Sequence, residues 1–252
     1  MTDAAATGHG ELALGFNRED GGTLALFAFA RFYAQPRPKC TLEIQQGGCR
    51  LRKCPLLPIE TPRSSAGRID VTTDGLSLAL IPEASGYRVT NAGGIQAPSD
   101  ALVRITAEGA IVPQFESSVR IPAQVTVTSP QKPDGGKLRL SRSSPFPVTW
   151  MAPSDGAVVV RYEIVDETLG APKGEYVECA FEARMGAGTV PASLITQLGG
   201  TGGFIQVHTE RTTAVTPLDS TNGLWDVQVL ARVVGTLNIG GGGALYEFAY
   251  EP

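Results

Sequence analysis

The stretch from Phe146 to Phe181 constrains the fold more than any other part of the chain, because its apolar and polar residues alternate with a period of two. In the segment AVVVRYEIVD the apolar alternation falls at Val158, Val160, Tyr162 and Ile164. Successive side chains of a strand point to opposite faces, so this period predicts a strand with one buried face. Trp150 ends the strand before it, and Cys179 lies within the strand after it. We interpret the stretch as the core of a β-sandwich.

The rest of the chain repeats this pattern in about fifteen short apolar segments, each bounded by turn residues. The 30 glycines and 18 prolines fall mostly between these segments, and Gly240 to Gly243 form one predicted hairpin tip. Hydrophobic residues make up 42% of the chain, which is enough for a core. One helix is expected from Ala192 to Leu198, because Pro191 precedes it and Gly199 follows it. The sequence therefore predicts an all-β fold with one short helix.

The segments group into two tandem β-sandwich domains, with a boundary near Pro122. Residues 1–9 are small and polar and are expected to form a disordered leader. Residues 10–122 form an N-terminal β-sandwich with a cysteine-containing hairpin, and residues 123–252 form the C-terminal domain. The C-terminal domain opens with a turn at Ser129-Pro130 and a strand-borne tryptophan, a pattern typical of immunoglobulin-like or fibronectin-like sandwiches.

The segment CTLEIQQGGCRLRKC reads as a β-hairpin whose turn is the glycine pair beginning at Gly47. This register sets Ile44 opposite Leu51 and Glu43 opposite Arg52. We expect the first pair to face the core and the second to form a cross-strand ion pair.

The register also brings Cys40 and Cys54 together at the open end of the hairpin, so we favour a structural disulfide between them. Cys49 then either reaches Cys179 or stays reduced. Free thiols in the core are the alternative for all four cysteines. Their spacing lacks the close CxxC pairs of a structural zinc site.

Basic residues outnumber acidic ones eight to two between Arg31 and Arg68, in a chain whose net charge is −4. Within this region Arg50, Arg52 and Lys53 are the candidate ligand-binding residues, for an anionic envelope polysaccharide, lipid headgroups or another envelope protein. The alternative is a solvated edge whose charges prevent strand-to-strand aggregation. The negative net charge gives no reason to expect nucleic acid.

No catalytic residue, metal site or cofactor is predicted. The two histidines are His9, in the expected leader, and His208. Because His208 and Glu210 share a strand face they are candidate metal ligands. With no third ligand in the pattern we interpret them as a solvated polar face. A pair of carboxylates on a sandwich face, acting on a carbohydrate or peptide, stays open as the enzymatic alternative.

Two features together resemble a known group of proteins. The hairpin C…GGCRLRKC follows an aromatic strand, and the C-terminal half runs FPVTW…VVVRYEI…VECAFEARMGAGTVPASLITQL. Across residues 10–252 the chain resembles uncharacterised cysteine-containing lipoproteins and secreted proteins of bacterial cell envelopes, which pair an N-terminal β-domain with an immunoglobulin-like sandwich. The resemblance implies export, oxidised cysteines and a structural or binding role. It assigns no functional residue.

These observations favour a non-enzymatic structural or binding module at the bacterial cell envelope. The expected location is the periplasm, the outer surface or the medium. MTDAAATGHG has no basic region followed by an apolar core, so a leader is expected to be missing from this chain, and a cytoplasmic location is the alternative. No apolar segment is long enough to cross a bilayer.

Overall fold

The computed structural model confirms the all-β fold and describes residues 8–18, 24–36, 38–56, 63–74, 76–83, 86–89, 100–133, 136–151, 156–165, 172–218, 224–237 and 243–251. The strands are β1 (Gly8–Arg18), β2 (Leu24–Tyr33), β3 (Leu42–Gln46), β4 (Cys49–Lys53), β5 (Ile69–Thr73), β6 (Leu76–Glu83), β7 (Gly86–Val89), β8 (Leu102–Ala107), β9 (Phe115–Arg120), β10 (Thr126–Ser129), β11 (Leu138–Leu140), β12 (Phe146–Met151), β13 (Ala157–Val165), β14 (Pro172–Glu182), β15 (Ala187–Val190), β16 (Gly202–Leu218), β17 (Trp225–Val234), β18 (Thr236–Leu237) and β19 (Leu245–Tyr250). Helical structure within these residues is one 3₁₀ turn, Ala183–Met185, and one short helix, α1 (Ala192–Ile195).

The chain folds into two compact units. Unit 1 comprises Met1–Arg37, Pro58–Pro122 and Glu210–Val233, and unit 2 comprises Pro38–Leu57, Ala123–Thr209 and Val234–Pro252. A change of unit thus falls between Pro122 and Ala123, near the predicted boundary. Two segments differ from the tandem arrangement that the sequence predicts. The cysteine hairpin belongs to unit 2 because β4 pairs with β14, and residues 210–233 belong to unit 1 because β17 pairs with β1.

Unit 1 consists of two sheets around its own apolar core. One sheet has the order β2, β1, β17 and the second part of β16, and the other has the order β7, β6, β5, β8, β9. Strands β1 and β17 run parallel. The core takes alternate residues of both sheets, among them Leu12, Leu14, Phe32, Ile69, Val71, Ile105, Trp225 and Val227.

Unit 2 also consists of two sheets. The larger has the order β3, β4, β14, β13 and the first part of β16, and continues through β19 to β11. The smaller has the order β15, β12, β10, β18. Their core includes the predicted buried face of β13, at Val158, Val160, Tyr162 and Ile164. Trp150 is buried, as predicted, and its Nε1 donates a hydrogen bond to the Ala183 carbonyl at 2.7 Å.

The hairpin β3–β4 has the predicted register, with Ile44 opposite Leu51 and Glu43 opposite Arg52. The predicted disulfide Cys40–Cys54 is present at its open end. The alternative left open for Cys49 resolves as a second disulfide, Cys49–Cys179, between directly opposed residues of β4 and β14. Disulfides form and persist in oxidising compartments, so both bonds fit a protein that works outside the cytoplasm.

Two local predictions need correction. Gly8 and His9 were expected in a disordered leader, but they begin β1, where parallel pairing with β17 orders them; residues 1–7 of that leader lie outside the described part. The helix begins at Ala192 as predicted but ends at Ile195, because the next backbone bonds, such as Leu198 N–H to the Ile195 carbonyl, are of the tighter 3₁₀ type. In the portion of the chain described here, no helix has the length and apolar character needed to span a membrane.

Candidate functional site

The candidate site is the face of the larger unit 2 sheet that points away from the core. Strand side chains alternate between faces, so the residues between the core positions line this surface. We call it the outer face, and it consists of Glu43, Gln45, Arg50, Arg52, Arg161, Glu163, Tyr176, Glu178, Phe204, Gln206, Leu245 and Glu247. All twelve side chains are half-buried or exposed.

The strand register aligns these side chains in two rows across the sheet. One row runs Glu43, Arg52, Tyr176, Glu163, Phe204, Glu247. The other runs Gln45, Arg50, Glu178, Arg161, Gln206, Leu245. Neighbouring strands lie about 4.8 Å apart, so each row spans about 24 Å from β3 to β19.

The structure brings two of the three predicted binding residues together on this face. Arg50 is exposed, and within the described residues it makes no ion pair. Arg52 forms the predicted cross-strand ion pair with Glu43, at 3.0 Å between Nη2 and Oε1. Lys53 points to the opposite face because it is one residue further along the strand, and its Nζ lies 3.5 Å from Glu175 Oε2. Lys53 is therefore not part of the outer face.

Arg161 lies at the centre of the outer face. Its guanidinium contacts Glu163 at 3.3 Å and Glu178 at 3.4 Å, and it covers the Tyr176 ring at 4.1 Å from the centroid. Burial alone would lower the pKa of Arg161, but Glu163, Glu178 and Tyr176 together outweigh burial and raise the pKa overall. The same competition, with Tyr176 and Glu43 as the partners, raises the pKa of Arg52. Both guanidinium groups therefore stay charged and fixed in place.

A groove of about 450 Å³ lies at the β19 end of the outer face. Its lining residues are Lys132, Pro133, Gly136, Lys137, Phe204, Leu245 and Glu247. Phe204 and Leu245 keep 38% and 45% of their surface exposed, although both are large apolar residues. The alternation along the strand predicts that Phe204 points outward. The groove was not predicted, because Lys132, Pro133, Gly136 and Lys137, which precede β11, also line it.

The structure places both histidines in buried positions. His208 was interpreted as part of a solvated face, but it is fully buried, opposite Val159, which is 6% exposed. The Glu210 carboxylate accepts hydrogen bonds from Arg232, the shorter at 2.8 Å. His9 is buried as well, and its Nδ1 lies 2.7 Å from the Gln35 carbonyl oxygen. Across the residues that the structure describes, no three candidate ligands cluster.

Comparisons with known proteins add little to this geometry. No protein-family model matches the chain. No curated protein matches it. Among solved structures, it is similar to a chain from work on host cell surface retention of a 1.5-MDa bacterial ice-binding adhesin, at 11% identity and a TM-score of 0.21. That match covers 92% of this chain and 66% of the other, and so low a TM-score carries no argument about fold or function.

Proposed function

We propose that this protein is a non-enzymatic binding module of the bacterial cell envelope that holds an anionic polysaccharide on the outer face of unit 2. The periplasm, the outer surface and the medium all fit its two disulfides. Unit 2, with two packed sheets and a buried strand-borne Trp150, is proposed to be an immunoglobulin-like sandwich. The resemblance to envelope lipoproteins and secreted proteins, carried by the hairpin and the C-terminal half, supports the same location.

The balance of charge on the outer face is the observation that carries this proposal. Four glutamates and three arginines lie on the outer face. Glu43 pairs with Arg52, Glu163 and Glu178 both pair with Arg161, and Glu247 pairs with Lys137. The exposed Arg50 has no ion pair among the described residues, so it is the arginine of this face left to bind an anion. A face of fixed polar groups with few unpaired positive charges suits a hydroxyl-rich polymer that carries at most one carboxylate on each sugar ring. A dense polyanion such as nucleic acid needs many free cations to neutralise its phosphates.

The enzymatic alternative, in which two carboxylates act on a carbohydrate or peptide, has less support. Such an enzyme needs two carboxyl groups facing each other across a bound substrate. The lining of the groove offers one carboxylate, Glu247, and Lys137 binds it at 2.6 Å. On the rest of the outer face, Glu163 and Glu178 both contact Arg161. These contacts favour a binding role.

Retention on immobilised polygalacturonate tests the proposal. We expect the wild-type protein to be retained at low salt and the double variant Arg50→Gln/Arg52→Gln to elute at clearly lower salt. The matched control is Arg68→Gln/Arg104→Gln in unit 1. Arg104 is exposed and has no ion pair within the described part of the chain, and Arg68 is paired with Asp70 at 2.9 Å. Equal elution of the two double variants would remove the arginines from the proposal, and no retention of the wild type would contradict polysaccharide binding.

A further inference from the structure

We infer that the groove at the β19 end of the outer face is a subsite for a single acidic sugar, a pyranose ring that carries a carboxylate. The inference rests on the proposed function and names the chemistry of the ligand. Three properties of the groove carry it: an apolar floor, a cation with no ion pair among the described residues, and a fixed acceptor of hydrogen bonds.

The floor consists of Phe204 and Leu245. Gln206 lies directly opposite Leu245 and Glu247 directly opposite Phe204, so polar groups flank the apolar pair on both rows. Within the described residues no other ring or cation is stacked on Phe204. Its ring face is therefore available, in contrast to that of Tyr176, which Arg161 covers. An open aromatic face beside polar groups suits a ring with a C–H-rich side and hydroxyl groups at its edge.

The charges of the groove select an anion. Lys137 and Glu247 form an ion pair at 2.6 Å and cancel each other. Lys132 is exposed and makes no ion pair with the described residues, so the described lining of the groove carries one net positive charge. We assign Lys132 to the sugar carboxylate. The Glu247 carboxylate, held in place by Lys137, accepts hydrogen bonds from the sugar hydroxyls.

The size and position of the groove fit a unit of a longer polymer. Its volume of about 450 Å³ lies in the usual range for small-molecule sites, roughly 300 to 1,000 Å³. Phe204 on β16 and Arg50 on β4 are separated by β13 and β14, which at about 4.8 Å per strand places them about 14 Å apart across the sheet. A polysaccharide that crosses the strands would therefore contact Arg50 while one of its acidic sugars occupies the groove.

Ligand-observed NMR titration of the full chain tests the inference, because this method detects millimolar binding. The probes are methyl glucuronide, methyl glucoside, acetate, inorganic phosphate and a short aspartate-rich peptide. We expect methyl glucuronide to bind best. Phe204→Ala should weaken it about tenfold, and Lys132→Gln about twofold to fivefold, with loss of the preference over methyl glucoside.

The controls are Phe29→Ala, which removes a half-buried aromatic ring from unit 1, and Lys39→Gln, which removes another exposed lysine from unit 2. Phe204→Leu keeps the apolar volume and removes the ring, so it replaces the alanine variant if that one does not fold. No binding of methyl glucuronide, binding that both Phe204 variants retain, or tighter binding of acetate, phosphate or the peptide would overturn the inference. If methyl glucuronide does not bind but the protein is retained on polygalacturonate, the subsite is wrong and the proposed function stands. If methyl glucuronide binds in the groove but the protein is not retained on polygalacturonate, the subsite stands and the proposed function is wrong.

Discussion

The disulfide Cys49–Cys179 should contribute more stability than Cys40–Cys54. Both involve the hairpin β3–β4 of unit 2, but Cys40–Cys54 closes the hairpin and Cys49–Cys179 joins it to β14. The bonds close loops of 130 and 14 residues. A cross-link restricts the unfolded chain by an entropy that grows with the logarithm of loop length, which gives about 5 kcal/mol for the long loop and about 3 kcal/mol for the short one. The difference of about 2 kcal/mol depends only on the ratio of the loop lengths.

Packing adds to this difference. Cys49 is 2% exposed and Cys179 is fully buried, whereas Cys40 and Cys54 are half-buried. Replacing the buried pair by alanine therefore also leaves a cavity between the two sheets, and cavities in a core cost free energy in proportion to their volume. We expect the Cys49→Ala/Cys179→Ala variant to lose at least about 2 kcal/mol more than the Cys40→Ala/Cys54→Ala variant.

Urea denaturation followed by tryptophan fluorescence measures these losses. Trp150 belongs to unit 2 and Trp225 to unit 1. In a Trp225→Phe background the emission of Trp150 therefore reports the unit that holds both disulfides. Equal free energies of unfolding for the two double variants, or a larger loss for the short-loop variant, would show that loop length and burial do not set the contribution of each disulfide.

Three further predictions concern tyrosines and thiols. Tyr246→Phe should lower the free energy of unfolding in urea by about 1 kcal/mol, because the Tyr246 hydroxyl donates a hydrogen bond to the Pro130 carbonyl at 2.9 Å. Tyr162→Phe should leave the free energy of unfolding unchanged, because the buried Tyr162 hydroxyl has no partner among the described residues. Similar losses in the two variants would contradict this. Burial raises the pKa of Tyr250 to about 12, against an opposing effect of Arg142. The neutral phenol is thus favoured in the folded state, so the contribution of Tyr250 to stability should be complete below pH 10 and should fall from about pH 10 to 12. In the Tyr250→Phe variant the free energy of unfolding should fall less over this range. A pH profile identical to that of the wild type would contradict the prediction. Protein isolated from its native source and unfolded without reductant should take up no alkylating agent, and immediate labelling of all four cysteines would argue for the cytoplasm.

The hairpin shows how much local sequence determines. The glycine turn sets the pairing of residues a few positions apart, so the ion pair of Arg52 with Glu43 and the disulfide Cys40–Cys54 were both predictable. The strand pattern likewise predicted which side of β13 is buried. These features depend on contacts between neighbours in the chain.

The outer face shows where sequence reasoning stops. Arg161, Phe204 and Arg50 lie on three strands whose order depends on pairings between distant parts of the chain, such as β4 with β14. The alternation predicts that each points outward, but no local rule sets which of them are neighbours. The separation of Lys53 from Arg50 and Arg52 was predictable, because adjacent residues of a strand point to opposite faces.

His208 was misinterpreted for a similar reason. Its position in β16 predicts the face, and the structure confirms that Ile205 and Val207 point to the core. Whether the face of β16 that carries His208 is buried depends on packing between distant parts of the chain. The one available signal was Val159, an apolar residue at an outward position of β13, directly opposite His208.

Amide chemical-shift mapping with a tetragalacturonate is the sharpest test of polysaccharide binding at the outer face, because it locates the ligand on the assigned spectrum of the whole chain. We expect shifts concentrated on the outer face, at Arg50, Arg52, Phe204, Gln206 and Leu245, with little change in unit 1. Shifts confined to other surfaces, or no shifts at all, would contradict the claim that this face holds an anionic polysaccharide.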